Sequence, residues 1–287
     1  MLRKGDLTQG GITTTLLQFT LPMLAGSLLQ QCYNIADTLI VGQCIGTNAL
    51  AAVGSAYTLM VFLISILLGL SMGSGTVFSL QYGAGDLSAL RRSIYVSFLL
   101  IGTVTILLNV AVFLWLDPIL RWLQVPYDVY PLMRNYLWII FWGIVFTFLY
   151  NFYAALLRAV GDSVTPLWFL AVSVVLNIGL DLFLILVLDQ GIEGTAVATV
   201  IAQGTAASGI LLYTYKTRPE LRLHREDMCF DRSSLREITS FSTLTCVQQS
   251  VMNFGILMVQ GLVNSFGTVV MAAFAAAVKI DSFAYMP

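Results

Sequence analysis

Two aspartates stand inside long apolar stretches, and their chemistry sets the terms for the rest of the chain. Asp37 is the only charge in Leu16 to Val41, LLQFTLPMLAGSLLQQCYNIADTLIV, and Asp181 lies deep in the apolar segment 164–188. A carboxylate surrounded by hydrocarbon costs several kcal/mol unless it is protonated, paired or wetted, so such a group reads as functional and facing a cavity. Asn177 sits one helical turn from Asp181, and Thr199 and Tyr136 fall within the neighbouring apolar segments. An isolated Thr or Tyr in a span is ordinarily a helix–helix hydrogen bond or an interface aromatic, so these two gain meaning only beside the acids. Two carboxylates in one low-dielectric pocket resist simultaneous ionisation, and one then keeps a proton unless a cation sits between them. The same oxygens, with the Asn177 amide and the Thr199 hydroxyl, could coordinate Na⁺, which makes proton and sodium competing occupants.

The elements that must carry these residues are membrane helices. The 287 residues are 58% hydrophobic and 10% charged, against about 25% charged in soluble domains. The composition predicts an all-α polytopic membrane protein. Leu16–Val41 alone would reach roughly 39 Å as a helix, enough for a hydrocarbon core of about 30 Å. Eight apolar segments can be marked, at 14–41, 49–80, 92–116, 129–157, 164–188, 193–215, 238–264 and from 268 onward. Short connections rich in Gly, Asp and Pro make sequential helices antiparallel neighbours. Pro22 removes one helix hydrogen bond and should bend the first span. Gly69, Ser71, Gly73 and Gly75 in the second span read as a close-packing face.

Eleven of the fourteen Lys and Arg residues fall on one side of this layout: Arg3, Lys4, Arg91, Arg92, Arg158, Lys216, Arg218, Arg222, Arg225, Arg232 and Arg236. The positive-inside rule puts that side in the cytoplasm, with the N-terminus and the polar loop 216–237, in a multi-pass protein of the cell membrane. Arg121 and Arg134 fall on the outer side. The loop carries both signs of charge and reads as a solvated connector between an N-terminal lobe of six helices (1–215) and the first two helices of a second lobe (238–287), whose remaining helices this sequence does not contain. An offset of 221 residues pairs Gly46-Thr47 with Gly267-Thr268 and Ala51-Ala52 with Ala272-Ala273, a repeat of the kind transporters carry. Counting from the outer ends places Asp37 about four residues down, Asp181 and Tyr136 about seven and Thr199 about six, on one level.

Other chemistries fit less well. Cys32, Cys44, Cys229 and Cys246 are far apart and His224 is the single histidine, which argues against a zinc or haem site. No basic patch interleaved with aromatics points to nucleic acid. An intramembrane aspartyl protease would show YD and GxGD motifs, whereas here the pairs are Ala36-Asp37 and Leu180-Asp181.

Pro22 with Gln30, Asn34 and Asp37, followed by VGQCIGTNALAAVG (41–54), resembles the first-helix signature of the multidrug and toxic compound extrusion (MATE) family. LLRAVGDSVTP (156–166) and FGTVVMAAFAAAVKIDSFAYMP (266–287) resemble two further regions of it. The resemblance implies twelve helices in two lobes around a central cavity, and export of drug-like, often cationic compounds in exchange for H⁺ or Na⁺. It implies a secondary transporter and not an enzyme, with no cofactor beyond the coupling ion, and with organic compounds and membrane lipid as its partners. It maps a first-lobe cation site onto Asp37, Asn177, Asp181 and Thr199, with Tyr136 beside it and Pro22 as the bending proline. The second lobe has Gln248, Gln249 and Asn253 where some members use a glutamate. Related flippases for lipid-linked oligosaccharides share the architecture, and would be expected to line the cavity with cationic residues.

Overall fold

The chain turns at the breakers. The computed structural model describes residues 12–224, 227 and 231–284, among which helices follow one another without a strand. They are α1 (Ile12–Cys44), α2 (Thr47–Gly83), α3 (Leu87–Trp122), α4 (Tyr130–Trp142), α5 (Ile144–Ala159), α6 (Val164–Leu186), α7 (Gly191–Thr217), α8 (Arg232–Asn264) and α9 (Thr268–Ala284). A 3₁₀ turn at Pro219–Leu221 lies in the linker. Gly46 and Gly267, the repeat-related pair, both take positive φ (116° and 90°) just ahead of a helix, a conformation that only glycine adopts freely. Arg3, Lys4, Arg225, Cys229 and the last three residues of the 266–287 stretch lie outside the described residues.

Among the described residues the eight expected spans become nine α-helices because the fourth is broken. α4 and α5 meet at Gly143 with a 47° bend. There the backbone presses against α7: a Cβ on Gly143 would stand 3.1 Å from Val200 Cγ2 and 3.3 Å from Gln203 Oε1. α1 runs on through Pro22 to Cys44 as one helix. Non-helical backbone appears at Trp115 (φ −111°, ψ 17°), three residues before Pro118 in α3, where the proline ring crowds the preceding turn. By length and composition five helices, or six counting the bent pair, can cross a bilayer; α1 is not among them. Thr20, Gln30, Gln31, Asn34 and Asp37 lower its hydropathy.

The core forms around α2, which has α3, α4 and α5 packed against it in the first lobe and α8 and α9 in the second. Phe78 of α2 meets Phe152 edge-on at 6.0 Å, and Phe98 joins them. The linker is not merely solvated. Leu221 is buried in the main core, Arg218 pairs with Asp162 at 3.4 Å, and Arg91 pairs with Asp227 at 3.5 Å. Asp231 then caps α8, accepting from the Ser233 and Ser234 amides. The Ser233 hydroxyl and amide hold its carboxyl well below the usual range, so the cap is present at neutral pH and is lost as acid protonates it.

α2 and α8 run antiparallel in contact along their length, and the small residues of α2 explain how. A Cβ on Gly69 would collide with the Cys246 backbone, and one on Gly73 with the Ser242 backbone. Gly75 differs: its Cβ would sit 3.5 Å from the Ala155 Cβ, an ordinary contact with α5. Gly73→Ala is therefore expected to cost about 1–3 kcal/mol by overpacking, seen as a lower midpoint of thermal unfolding in detergent. Gly75→Ala should leave the midpoint unchanged or slightly raised, because alanine is the better helix former.

Candidate functional site

α1, α6 and α7 bring the polar residues together near the end of the bundle remote from the linker, called the far end below. α6 offers Asn177 and Asp181 on one face, four residues apart, and both are buried, Asp181 fully so. The Asn177 amide satisfies its neighbours in one orientation. Its nitrogen donates to Asp181 Oδ2 at 2.9 Å, and its oxygen accepts from the Thr199 backbone N–H at 3.1 Å and the Thr199 hydroxyl at 3.2 Å. Tyr33 of α1 approaches the same hydroxyl, 3.5 Å away. Asp181 Oδ1 is buried and has no hydrogen-bond partner among the described residues.

Asp37 is half-buried on α1, one turn beyond Tyr33, and its carboxyl is close enough to act electrostatically on Asp181, Tyr33 and Tyr136. Tyr136 of α4 is buried in the same neighbourhood. The structure thus joins Asn177, Asp181 and Thr199 by direct hydrogen bonds, with Asp37 and Tyr136 within electrostatic reach. Counted with Tyr33, these residues offer two carboxylates, an amide and three hydroxyls, a set of oxygens that can share a proton or surround a hard monovalent cation.

From this cluster a cavity of about 540 Å³ extends toward the linker end. Asn177, Thr199 and Pro22 belong to its wall; Asp37, Asp181 and Tyr136 do not. Its polar lining also includes Gln30, Gln31 and Asn34 of α1, Tyr57 of α2, Thr147 and Asn151 of α5 and Gln203 of α7. Thr147 donates to Gln203 at 2.8 Å, across the α5–α7 contact beside the broken span. Tyr33, Tyr57, Thr147, Asn151 and Gln203 were not legible as site residues, because a single polar side chain in a span most often serves packing. The signal that could have found two of them is the spacing of Thr147 and Asn151, one turn apart on α5. Arg158, one of the cations expected on the cytoplasmic side, also reaches the cavity wall at the linker end. Arg134 does not; it pairs with Asp117 at 2.8 Å.

Comparison with known proteins places this geometry. A family model described as MatE matches residues 22–183, more than half of the chain. The probable multidrug resistance protein YpnP of Bacillus subtilis is 33% identical over 282 residues, which are 98% of this chain and 63% of that protein. The multidrug export protein MepA of Staphylococcus aureus is 27% identical over 93% of this chain and 59% of its own length. The chain therefore spans about three fifths of the length of these curated relatives. Among solved structures, the MATE multidrug transporter DinF-BH superposes with a TM-score of 0.91 at 24% identity, covering all of this chain and 65% of that one. A variant of the Vibrio cholerae MATE transporter VcmN superposes with a TM-score of 0.82 at 26% identity, covering 95% and 62%.

The hydrogen bonds of Asn177 generate a stability test. Asn177→Leu takes the donor from Asp181 Oδ2 and an acceptor from the Thr199 hydroxyl, at about 1–3 kcal/mol for an orphaned buried group. Asn151→Leu removes only a bond to the Thr147 carbonyl of its own helix. Thermal unfolding in detergent should show the larger loss for Asn177→Leu.

Proposed function

The chain belongs to the MATE family, and from that membership we propose that it forms the first lobe, and the start of the second, of a cation-coupled antiporter exporting drug-like organic compounds by alternating access. The observation that carries the reading is the shared cluster of Asp37 and Asp181, bridged through Asn177 to Thr199 at the head of a cavity large enough for a small organic molecule. Asp181 Oδ1, buried and without a hydrogen-bond partner among the described residues, suits a bound proton or a monovalent ion.

In this reading the residues have separate duties. Asp37 and Asp181 supply the negative charge, and Asn177 and Thr199 hold Asp181 in place and complete the oxygen set for H⁺ or Na⁺. Tyr136 closes the cluster from α4. The cavity wall of amides, hydroxyls and apolar side chains receives the organic compound. Because Asn177 and Thr199 belong both to the cluster and to the wall, neutralising or occupying the carboxylates alters the surface the compound meets. That shared wall is the physical basis for exchange. Pro22, also on the wall, weakens the α1 hydrogen-bond ladder where the helix would adjust.

The linker side is taken as cytoplasmic and the far end as the outer face, following the distribution of Lys and Arg, with the cell membrane as the site of action. The curated relatives compared above are described as multidrug resistance or export proteins. They favour drug export over a lipid-linked oligosaccharide flippase, and among the described residues the cavity wall carries one cation, Arg158, where a flippase would be expected to present several.

The test is efflux from vesicles carrying the chain extended to the length of its relatives, with pH and sodium gradients imposed separately. Asp37→Asn and Asp181→Asn should abolish gradient-driven efflux of a fluorescent dye while membrane insertion stays normal. Asp162→Asn, in the α5–α6 loop, should leave coupling intact. Unchanged efflux and unchanged gradient dependence in Asp37→Asn would overturn the reading.

A further inference from the structure

The linker end of the cavity is built around a cation without a counter-charge. Arg158 stands in the last turn of α5, half-buried on the cavity wall. Arg91, Arg134 and Arg218 each face a carboxylate, whereas Arg158 makes no ion pair or hydrogen bond to any described residue. Across the next turn Ser163 precedes α6 and lines the same cavity, itself only 5% exposed. Its hydroxyl caps neither α6 nor bonds any other described group.

The turn between the two explains why both are spare. Gly161 takes positive φ (85°), its N–H donates to the Arg158 carbonyl at 3.0 Å, and the Asp162 N–H donates to the Leu157 carbonyl at 2.8 Å. The backbone thereby fixes Arg158 relative to Ser163. Asp162, the acid nearest in sequence, is already engaged: it accepts from the Thr165 amide at 3.0 Å and the Thr165 hydroxyl at 2.8 Å, and it pairs with Arg218 at 3.4 Å. In doing so it takes over the capping that the residue before a helix ordinarily supplies. The Ser163 hydroxyl is left to the cavity.

Beside this pair the wall includes Met23 of α1 and Leu167 and Leu170 of α6, and the Tyr150 hydroxyl is tied to the Pro166 carbonyl at 3.0 Å. A guanidinium partly withdrawn from water is stabilised most by an anion, and its planar fork takes two oxygens of a carboxylate or phosphate at once. The acids of the polar cluster are too distant to serve, since Asn177 lies about 21 Å further along α6 by helical rise. We propose that the linker end of the cavity is an anion subsite, in which the Arg158 guanidinium and the Ser163 hydroxyl hold a carboxylate or phosphate oxyanion carried on an apolar body that lies against Met23, Leu167 and Leu170. The subsite deepens the proposed function, and rests on it only in taking the cavity as the place where organic compounds bind. It admits molecules with a negative group, which the carboxylates at the far end by themselves would repel.

The test uses two dyes that differ in one charge. Rhodamine B, which carries a free carboxylate, and its ethyl ester, which does not, are titrated onto the chain in neutral detergent and followed by fluorescence anisotropy. Arg158→Gln should weaken rhodamine B about tenfold, the loss of one charge-assisted contact, and leave the ester within about twofold. Ser163→Ala should weaken rhodamine B by a smaller factor and spare the ester, and Arg158→Lys, which keeps the charge without the fork, should fall between wild type and Arg158→Gln. Arg92→Gln, at an exposed cation bonded to Ser88 of its own helix, should change neither dye. Dioleoylphosphatidylglycerol added to the detergent separates the sources of the oxyanion. Displacement of rhodamine B by this lipid, and not by dioleoylphosphatidylcholine, assigns the subsite to lipid phosphate; no displacement by either assigns it to the carboxylate of the compound. Should neither dye bind, the cavity loses its reading as a compound site, and the subsite is judged by lipid alone: mass spectrometry of the delipidated chain should show phosphatidylglycerol retained over phosphatidylcholine, a preference that Arg158→Gln removes. Equal weakening of both dyes by Arg158→Gln, no weakening of rhodamine B, or, with neither dye bound, no Arg158-dependent preference for phosphatidylglycerol would overturn the subsite.

Discussion

Close approach of two helix backbones, α2 and α8, is the constraint on which the arrangement depends. In a bilayer the surrounding lipid is as apolar as the side chains, so helices gain little by merely covering apolar surface and are held by packing and interhelical hydrogen bonds. α2 meets that condition with glycine where α8 crosses nearest and with serine and threonine where α8 offers amides. Much of its remaining surface is apolar and buried, with Leu67 and Phe78 almost fully enclosed. One helix thus serves two lobes. Large side chains toward α8 would separate them, and polar ones toward α3 and α5 would go unpartnered.

The polar cluster follows the same logic of satisfaction at close quarters. Asp181 is tolerable at full burial because Asn177, one turn away, turns its nitrogen toward the carboxylate and its oxygen toward Thr199. A single amide links acid and hydroxyl, fixing the relative position of α6 and α7. α1 completes the group at the expense of its own hydropathy, since the side chains that reach the cavity and the cluster are the ones that keep it from qualifying as a simple apolar span. Such a helix is better suited to standing between a wet cavity and its neighbours than to facing lipid on all sides.

The connection between lobes is anchored on the first one. Arg218 holds the start of the linker to Asp162, which itself bonds the Thr165 amide and hydroxyl at the start of α6. Arg91 at the start of α3 meets Asp227, whose carboxylate also accepts from the His224 amide. The linker therefore reaches α8 from a defined place, and Asp231 caps the helix where it begins.

Sequence alone determined the helical membrane class, the order of the helices, the breakers between them and the linker, and it singled out the polar residues inside the spans. Each of these is written in local composition: runs of apolar residues set length, glycine and proline set turns, and a charge inside a span announces itself by its cost. Only the tertiary structure decided that the fourth span breaks at Gly143, that α1 passes Pro22 without interruption, that the linker docks, and that Arg158 reaches the cavity. The same holds for Gln203 beside Thr147 and for Gln260 and Asn264 against Ser55. These depend on which face of one helix meets which face of another. That choice is made by contacts between residues as much as 209 positions apart, and no local pattern in the chain records it.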